Sequence, residues 1–328
     1  MAMEKLISVL FSKFILLLLF LDVTNACGLQ LGFYSGTCPN AEQIAYAVLY
    51  KYISRDPTLA PSLLRMHFHD CFVRGCDGSV LLNSTQGYKA EKEAFPNLSL
   101  RGFHVIDAVK SELEKKCPGV VSCADILALV ARDAVFMIGG PSWDVPTGRR
   151  DGRVSIDTDA LEQLPSFTAN ITELIKDFSA KGLSVKDLVV LSGGHTIGIG
   201  HCSSISDRLY NFTGKGDTDP SLDPKYASAL KEKCKLGGDN LKTVEMDPGS
   251  FRTFDEGYYS NVAKRRGLLR SDAALLDDVQ TRTYVQLQSV THGWTFAQDF
   301  GASMIKMGSV GVLTGNQGEI RKRCAFVN

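Results

Sequence analysis

The sequence predicts a mainly α chain, tied by disulfides and exported from the cell. Three observations carry this. Apolar residues recur at helical spacing in segment after segment, with capping residues where the segments start. Sustained period-two alternation is scarce, and no Pro- or Ser-rich linker divides the 328 residues, so one compact domain is expected. Nine cysteines, eight of them spread beyond a leader-like N-terminus, fit an oxidising compartment and four disulfides.

The elements follow in order. Lys5 and Lys13 precede the apolar run Phe14 to Leu21, and Thr24 and Ala26 supply small residues before a cleavage site. Residues 1–26 therefore read as a signal peptide, cleaved near 26–29, ahead of a single mature domain over 27–328. The run is too short to span a bilayer. Ile44, Ala45, Val48, Leu49, Tyr52 and Ile53 form a helical stripe after Pro39-Asn40. Val105, Ile106, Val109 and Leu113 form another, ending at Cys117-Pro118-Gly119 after Lys115 and Lys116 load the last turn. Val120 to Ile138 holds Asp125, Arg132 and Asp133 and reads as a buried core helix, not a span. Asn170 and Glu173 can cap a helix bearing Leu174, Ile175 and Phe178, and Ser184 to Asp187 opens another through Leu191. Gly139 to Pro141, Asp151-Gly152 and Gly214 to Pro224 read as turn-rich connections.

Composition narrows function. Equal counts of 36 basic and 36 acidic residues remove the basic excess expected of a nucleic-acid binder and give no strong pull toward anionic membranes. Asn83, Asn97, Asn170 and Asn211 begin glycosylation sequons, in keeping with export.

Three constellations carry chemistry. In a helix, Arg65, Phe68 and His69 share one face and offer a permanent cation, an apolar plate and a base that works near neutral pH. In that helix His67 and His69 point to different sides, so they make a poor metal pair. The segment Asp70 to Ser79 is rich in oxygens: Asp70, Asp77 and Ser79, with backbone carbonyls between them, suit calcium, and Cys71 and Cys76 can close the loop. His195 follows Gly193-Gly194, which permits close approach of a backbone or a flat ligand. A haem role needs a carboxylate on its second nitrogen, and Asp272 is a candidate. Each of these has an ordinary structural reading as well: a solvated arginine, a polar turn, a core histidine, a helix cap.

Together, Arg65 to Val73 (RMHFHDCFV), Gly75-Cys-Asp77, Gly140-Pro-Ser-Trp143, Gly148-Arg-Arg-Asp151, Leu191 to Gly198 (LSGGHTIG), Asp207 to Phe212 (DRLYNF) and Gly318-Glu-Ile-Arg321 closely resemble the plant secretory (class III) haem peroxidases. The resemblance covers Gln30 to Asn328. It implies a haem-peroxidase fold of about ten main helices, in two interleaved parts sandwiching one haem b. It implies that His69 is the distal base, that Arg65 stabilises developing charge, that Asn97 orients His69 with Glu91 beyond it, and that Phe68 walls the site. It implies His195 as axial iron ligand with Asp272 behind it. Two calcium ions are implied, one at Asp70, Val73, Gly75, Asp77 and Ser79, the other at Thr196, Asp247, Ser250, Thr253 and Asp255. The implied disulfides are Cys38–Cys117, Cys71–Cys76, Cys123–Cys324 and Cys202–Cys234, leaving Cys27 odd. Pro165 matches the proline of the substrate-access loop, but Ser166-Phe167 follows where the family often has a second proline. Phe95 keeps an aromatic rim position, whereas Thr168 and Ser204 stand at others.

The expected activity is reduction of hydrogen peroxide with one-electron oxidation of small phenolic donors. It would serve cross-linking of lignin, suberin or wall polymers, peroxide removal or stress response. The expected protein is a monomer in the apoplast or cell wall. The short tail after Cys324 favours that place over the vacuole. Two other classes stand beside this one. One is a haem- or wall-binding protein without turnover, which the intact Arg65, His69, Asn97, His195 and Asp272 disfavour. The other is a zinc- or calcium-dependent hydrolase on His67 and His69, which lacks a clear third ligand and an HExxH pattern.

Overall fold

This computed structural model describes residues 28–239 and 241–328; the signal-peptide reading of 1–26 and the fate of Cys27 lie outside the described residues. Among the described residues there are thirteen α-helices. They are α1 (Ala41–Ile53), α2 (Leu59–Val73), α3 (Phe103–Lys116), α4 (Cys123–Met137), α5 (Asp157–Gln163), α6 (Ile171–Ala180), α7 (Val185–Ser192), α8 (Ser206–Tyr210), α9 (Pro224–Lys233), α10 (Gly257–Ala263), α11 (Arg270–Ala274), α12 (Val279–Thr291) and α13 (Phe296–Met307). Among the described residues sheet is confined to β1 (Ile199–His201) and β2 (Thr243–Glu245), an antiparallel pair with Ile199 opposite Glu245. No described helix is long and apolar enough to cross a membrane.

Local chemistry sets the helix ends. Asn170 accepts from the Glu173 N–H and Glu173 reciprocates, and Ser184 and Asp187 repeat the arrangement at the start of α7. The stripe of α1 buries Ala45, Val48, Leu49 and Ile53 as its spacing predicts.

Two cores meet along α2 and α4. Leu63 and Met66 of α2 join Leu49, Ile106 and Leu113 in one, with Ile126 and Val130 of α4. Leu64 and Phe72 of α2 join Phe178, Val190, Tyr259 and Phe300 in the other, with Ala128 and Leu129 of α4. Two helices therefore present opposite faces to two cores, which is why both are buried along most of their length. Truncating Phe72, fully buried, should cost about 3–5 kcal/mol. A smaller core of Cys202, Leu209, Leu230, Met246 and Leu268 lies against the β-ribbon.

Buried ions and disulfides fasten these parts. Arg149 pairs with Asp125 at 2.7 Å and donates to the Gly308 carbonyl at 2.6 Å, tying the segment after α4 to the end of α13. Arg321 donates to the carbonyls of Gly78 and Cys324, each at 2.6 Å. Removing one partner of such a buried pair should cost about 3–5 kcal/mol. The bridges are Cys38–Cys117, Cys71–Cys76, Cys123–Cys324 and Cys202–Cys234. Cys123–Cys324 joins residues 201 apart and so restricts the unfolded chain most.

Candidate functional site

Helix α2 carries the first cluster. Its period puts Arg65, Phe68 and His69 on one face, and His67 on another. His67 borders a water-sized cavity with Trp143, Arg149 and Gly308, and burial followed by the Arg149 charge holds its imidazole down to about 3. His69 is buried and doubly bonded. Arg65 Nε donates to His69 Nε2 at 3.1 Å, so that nitrogen offers a lone pair. His69 Nδ1 then donates to Asn97 Oδ1 at 2.5 Å. Asn97 is fixed in that sense because its Nδ2 donates to the Glu91 carbonyl at 2.7 Å. Burial first, and the Arg65 charge second, lower the His69 value to about 3, against the Asn97 bond. His69 is therefore neutral at physiological pH, as a base must be.

Arg65 is held in turn by the loop that follows. Nη1 donates to Ser99 Oγ at 2.9 Å and Nη2 to the Pro96 carbonyl at 2.6 Å. Burial lowers the guanidinium to about 10, and it stays charged at neutral pH. Phe68 is half-buried beside His69, ring centroids 5.2 Å apart, and rests on Phe72 at 4.7 Å.

The second cluster follows α7. The turn Gly193–Thr196 packs on Tyr259 and Phe296 so closely that a Cβ at Gly193 would lie 2.5 Å from the Tyr259 hydroxyl. The sequence leaves open whether the glycine pair admits backbone or ligand, and at Gly193 it admits the protein's own side chains. A Cβ at Gly194 would meet Leu64 of α2 at 3.6 Å, and one at Gly198 would meet Pro61 at 3.0 Å. His195 therefore stands beside the helix that bears Arg65, Phe68 and His69. Its side chain is 40% exposed although Asp272 behind it is 1% exposed.

His195 Nδ1 bonds Asp272 Oδ1 at 2.7 Å. Asp272 Oδ1 also accepts from the Tyr258 hydroxyl at 3.0 Å, and Oδ2 from the Leu269 N–H at 2.8 Å. Burial alone would push this carboxyl up, but His195, Leu269 and Tyr258 together hold it below its ordinary value. Asp272 is thus an ionised acceptor and a helix cap at once. Its bond keeps the proton on His195 Nδ1 and leaves Nε2 with a free lone pair. An open imidazole with a carboxylate on Nδ1, beside the helix that carries Arg65, Phe68 and His69, is a donor that fits haem iron.

Oxygen clusters flank both histidines. Beyond His69, Asp70 accepts from the Gly78 N–H at 3.0 Å and Asp77 from the Ser79 N–H at 2.9 Å. Burial and the neighbouring Asp77 charge push Asp70 well up, and burial pushes Glu91 to about 8. Ser79 Oγ and both Glu91 carboxylate oxygens are buried without a hydrogen-bond partner. Orphaned oxygens beside two buried carboxylates are what a hard cation would satisfy. The Val73 carbonyl accepts from Lys181 Nζ at 3.4 Å, and the Gly75 carbonyl from the Asp77 N–H at 2.8 Å.

Beyond His195, Thr196 Oγ1 donates to Asp247 at 3.1 Å and Asp255 at 3.2 Å. Ser250 Oγ lies 3.5 Å from Asp255, and Thr253 is exposed, its N–H donating to the Ser250 carbonyl at 2.7 Å. Burial and the Asp255 charge raise Asp247 to about 6.

Pro165 and Thr168 are half-buried, and Phe95 is 70% exposed. Sequence reasoning did not find Tyr258, Ser99 or Asn261, whose Nδ2 donates to Asp247 at 2.6 Å. Nothing in their spacing signals those contacts. Of the four sequon asparagines, Asn97 is 2% exposed with both amide atoms engaged, which leaves no room for a glycan in this fold.

The sequence profile of the family described as Peroxidase matches residues 45–290. Peroxidase 27 of Arabidopsis thaliana is 61% identical over 95% of this chain and 96% of its own. Peroxidase 56 of the same plant is 59% identical, over 93% of this chain and 92% of its own. Peroxidase 1 of Oryza sativa subsp. japonica is 58% identical, over 90% and 92%. The chain belongs to the peroxidase family, among the plant class III peroxidases. It is a haem enzyme that oxidises donors with hydrogen peroxide.

Proposed function

We propose that this chain is a secreted peroxidase in which His69 and Arg65 activate peroxide and His195 holds one haem b. The observation that carries the proposal is the unequal bonding of two histidines, His69 to an amide and His195 to a carboxylate. Bound haem supplies the iron on which the peroxide O–O bond is cleaved and the oxidising equivalents are stored. His69 Nε2 takes the proton from the near peroxide oxygen and returns it to the far one, which leaves as water. Asn97 keeps the lone pair on Nε2. Arg65 stabilises charge on the departing oxygen. Phe68 limits water around the reacting atoms. Asp272 keeps His195 electron-rich, which favours oxidised iron.

Small phenols are the proposed donors, entering near Pro165 and Phe95 and each losing one electron. Asp70, Val73, Gly75, Asp77 and Ser79 would hold one calcium, and Thr196, Asp247, Ser250, Thr253 and Asp255 a second. The first anchors the residue after His69 and the second the residue after His195. Residues 1–26 would direct the domain of residues 27–328 to the apoplast or cell wall, where it acts as a monomer on phenols and wall polymers.

The test is the visible spectrum of the purified protein with haem available. A ferric Soret band that shifts on adding hydrogen peroxide and returns on adding a phenol is expected. A band indifferent to peroxide would replace this reading with haem binding without turnover.

A further inference from the structure

A line of tyrosines leads from the His195 carboxylate to the protein surface, and the peroxide chemistry does not need it. Tyr258 donates to Asp272 Oδ1 at 3.0 Å, the same oxygen that His195 bonds. The Tyr258 ring meets Tyr259 edge-on, centroids 5.2 Å apart. Tyr259 meets Tyr284 of α12 edge-on at 5.5 Å. Tyr258 and Tyr259 are buried, and Tyr284 is half-buried.

The three hydroxyls are not equivalent. Tyr259 donates to the backbone carbonyl of Val189 at 3.1 Å, which cannot take its proton. The carboxylate of Tyr258 is buried and shared with His195. Tyr284 donates to Asp299 Oδ2 at 2.9 Å, and Asp299 Oδ1 accepts from the exposed Lys186 at 2.6 Å. Tyr284 alone of the three thus has its own proton acceptor near solvent. Leu287, one turn further along α12, is 45% exposed and adds apolar surface beside it.

We propose that Tyr284 is a second oxidation site, joined to the His195–Asp272 pair through Tyr258 and Tyr259, for phenolic donors too bulky to enter near Pro165 and Phe95. The proposal rests on the peroxidase reading above. Peroxide first oxidises the haem centre by two electrons. One electron then leaves Tyr284 through the Tyr259 and Tyr258 rings and reduces that centre by one equivalent. The phenolic proton of Tyr284 passes to Asp299, leaving a neutral tyrosyl radical. A bulky phenol restores Tyr284 by giving it a hydrogen atom, becoming a phenoxyl radical, and Asp299 releases its proton to water. The sum is one donor O–H broken, one electron to the haem centre and one proton to solvent.

The experiment is to mix the holoenzyme with hydrogen peroxide and a nitroso spin trap, without donor, and to locate the adduct by peptide mass spectrometry. An adduct on Tyr284 is expected. Tyr284→Phe should lose it, and the ratio of synthetic lignin polymer turnover to small-phenol turnover should fall about tenfold. Tyr284→Trp, which restores an oxidisable ring, should recover most of that ratio. A Soret band that responds to peroxide with no adduct on Tyr284, or with one on the exposed Trp294 instead, overturns the proposal and leaves the peroxidase reading standing. An unchanged polymer ratio in Tyr284→Phe overturns it likewise. A Soret band that ignores peroxide overturns both readings.

Discussion

His69 and His195 stand on neighbouring elements, yet their surroundings treat them in opposite ways. His69 is buried, gives its Nδ1 proton to an amide and has a guanidinium on Nε2. His195 is open on one side and gives its Nδ1 proton to a buried carboxylate. Burial and the cation keep the first imidazole neutral and ready to accept a proton, and the amide fixes which nitrogen accepts it. The carboxylate makes the second a strong electron donor with a free nitrogen. The difference teaches that the partner on Nδ1, and not the histidine itself, assigns the chemistry.

The comparison breaks most severely at the proposed ligand. His195→Ala should abolish the Soret band of a protein that still folds, measured by titration with haem and by circular dichroism. Arg65→Leu should keep the band and slow the peroxide reaction by about 10²–10³-fold in stopped flow, the cost of a lost charge stabiliser.

A subtler change sharpens the contrast. In the proposed mechanism neutral His69 is the reactive form, and its value near 3 lies below the ordinary imidazole value. The peroxide rate should therefore stay level from neutral pH downward and fall only as pH drops through about 3. Asn97→Asp gives His69 a carboxylate partner like that of His195, favours the imidazolium and should move that fall to higher pH. A profile identical to that of the unmodified protein would contradict the assigned role of Asn97. The smallest effect concerns the oxygen clusters. Chelating the proposed calcium ions should lower Tm by several degrees, because about 1 kcal/mol moves Tm by roughly 2–4 °C in a large domain. Calorimetry with and without chelator checks it.

Much of the fold is legible in the sequence because it is local. The apolar stripe of α1, the caps of α6 and α7 and the Arg65-Phe68-His69 face follow from spacing alone. Helix α12 does not, because it buries Thr281 and Gln288 along with Val285, so its stripe is half polar. Thr281 donates to the Leu275 carbonyl and Gln288 Nε2 to Thr295, both outside the helix, while Gln288 Oε1 has no partner. The site divides in the same way. Asp272 can be named from sequence as a candidate but not placed, since 77 residues separate it from His195. Tyr258 has no signal at all, because its contact with Asp272 depends on how α10 meets α11. The four bridges are countable from the cysteines, but their pairing depends on tertiary contact.

The most direct test of the account is the rate at which hydrogen peroxide shifts the Soret band in His69→Leu. Haem content should equal that of the unmodified protein and the rate should be lower by about 10²–10⁴-fold, the contribution of a positioned base. A variant that keeps its haem and reacts at an unchanged rate would contradict it.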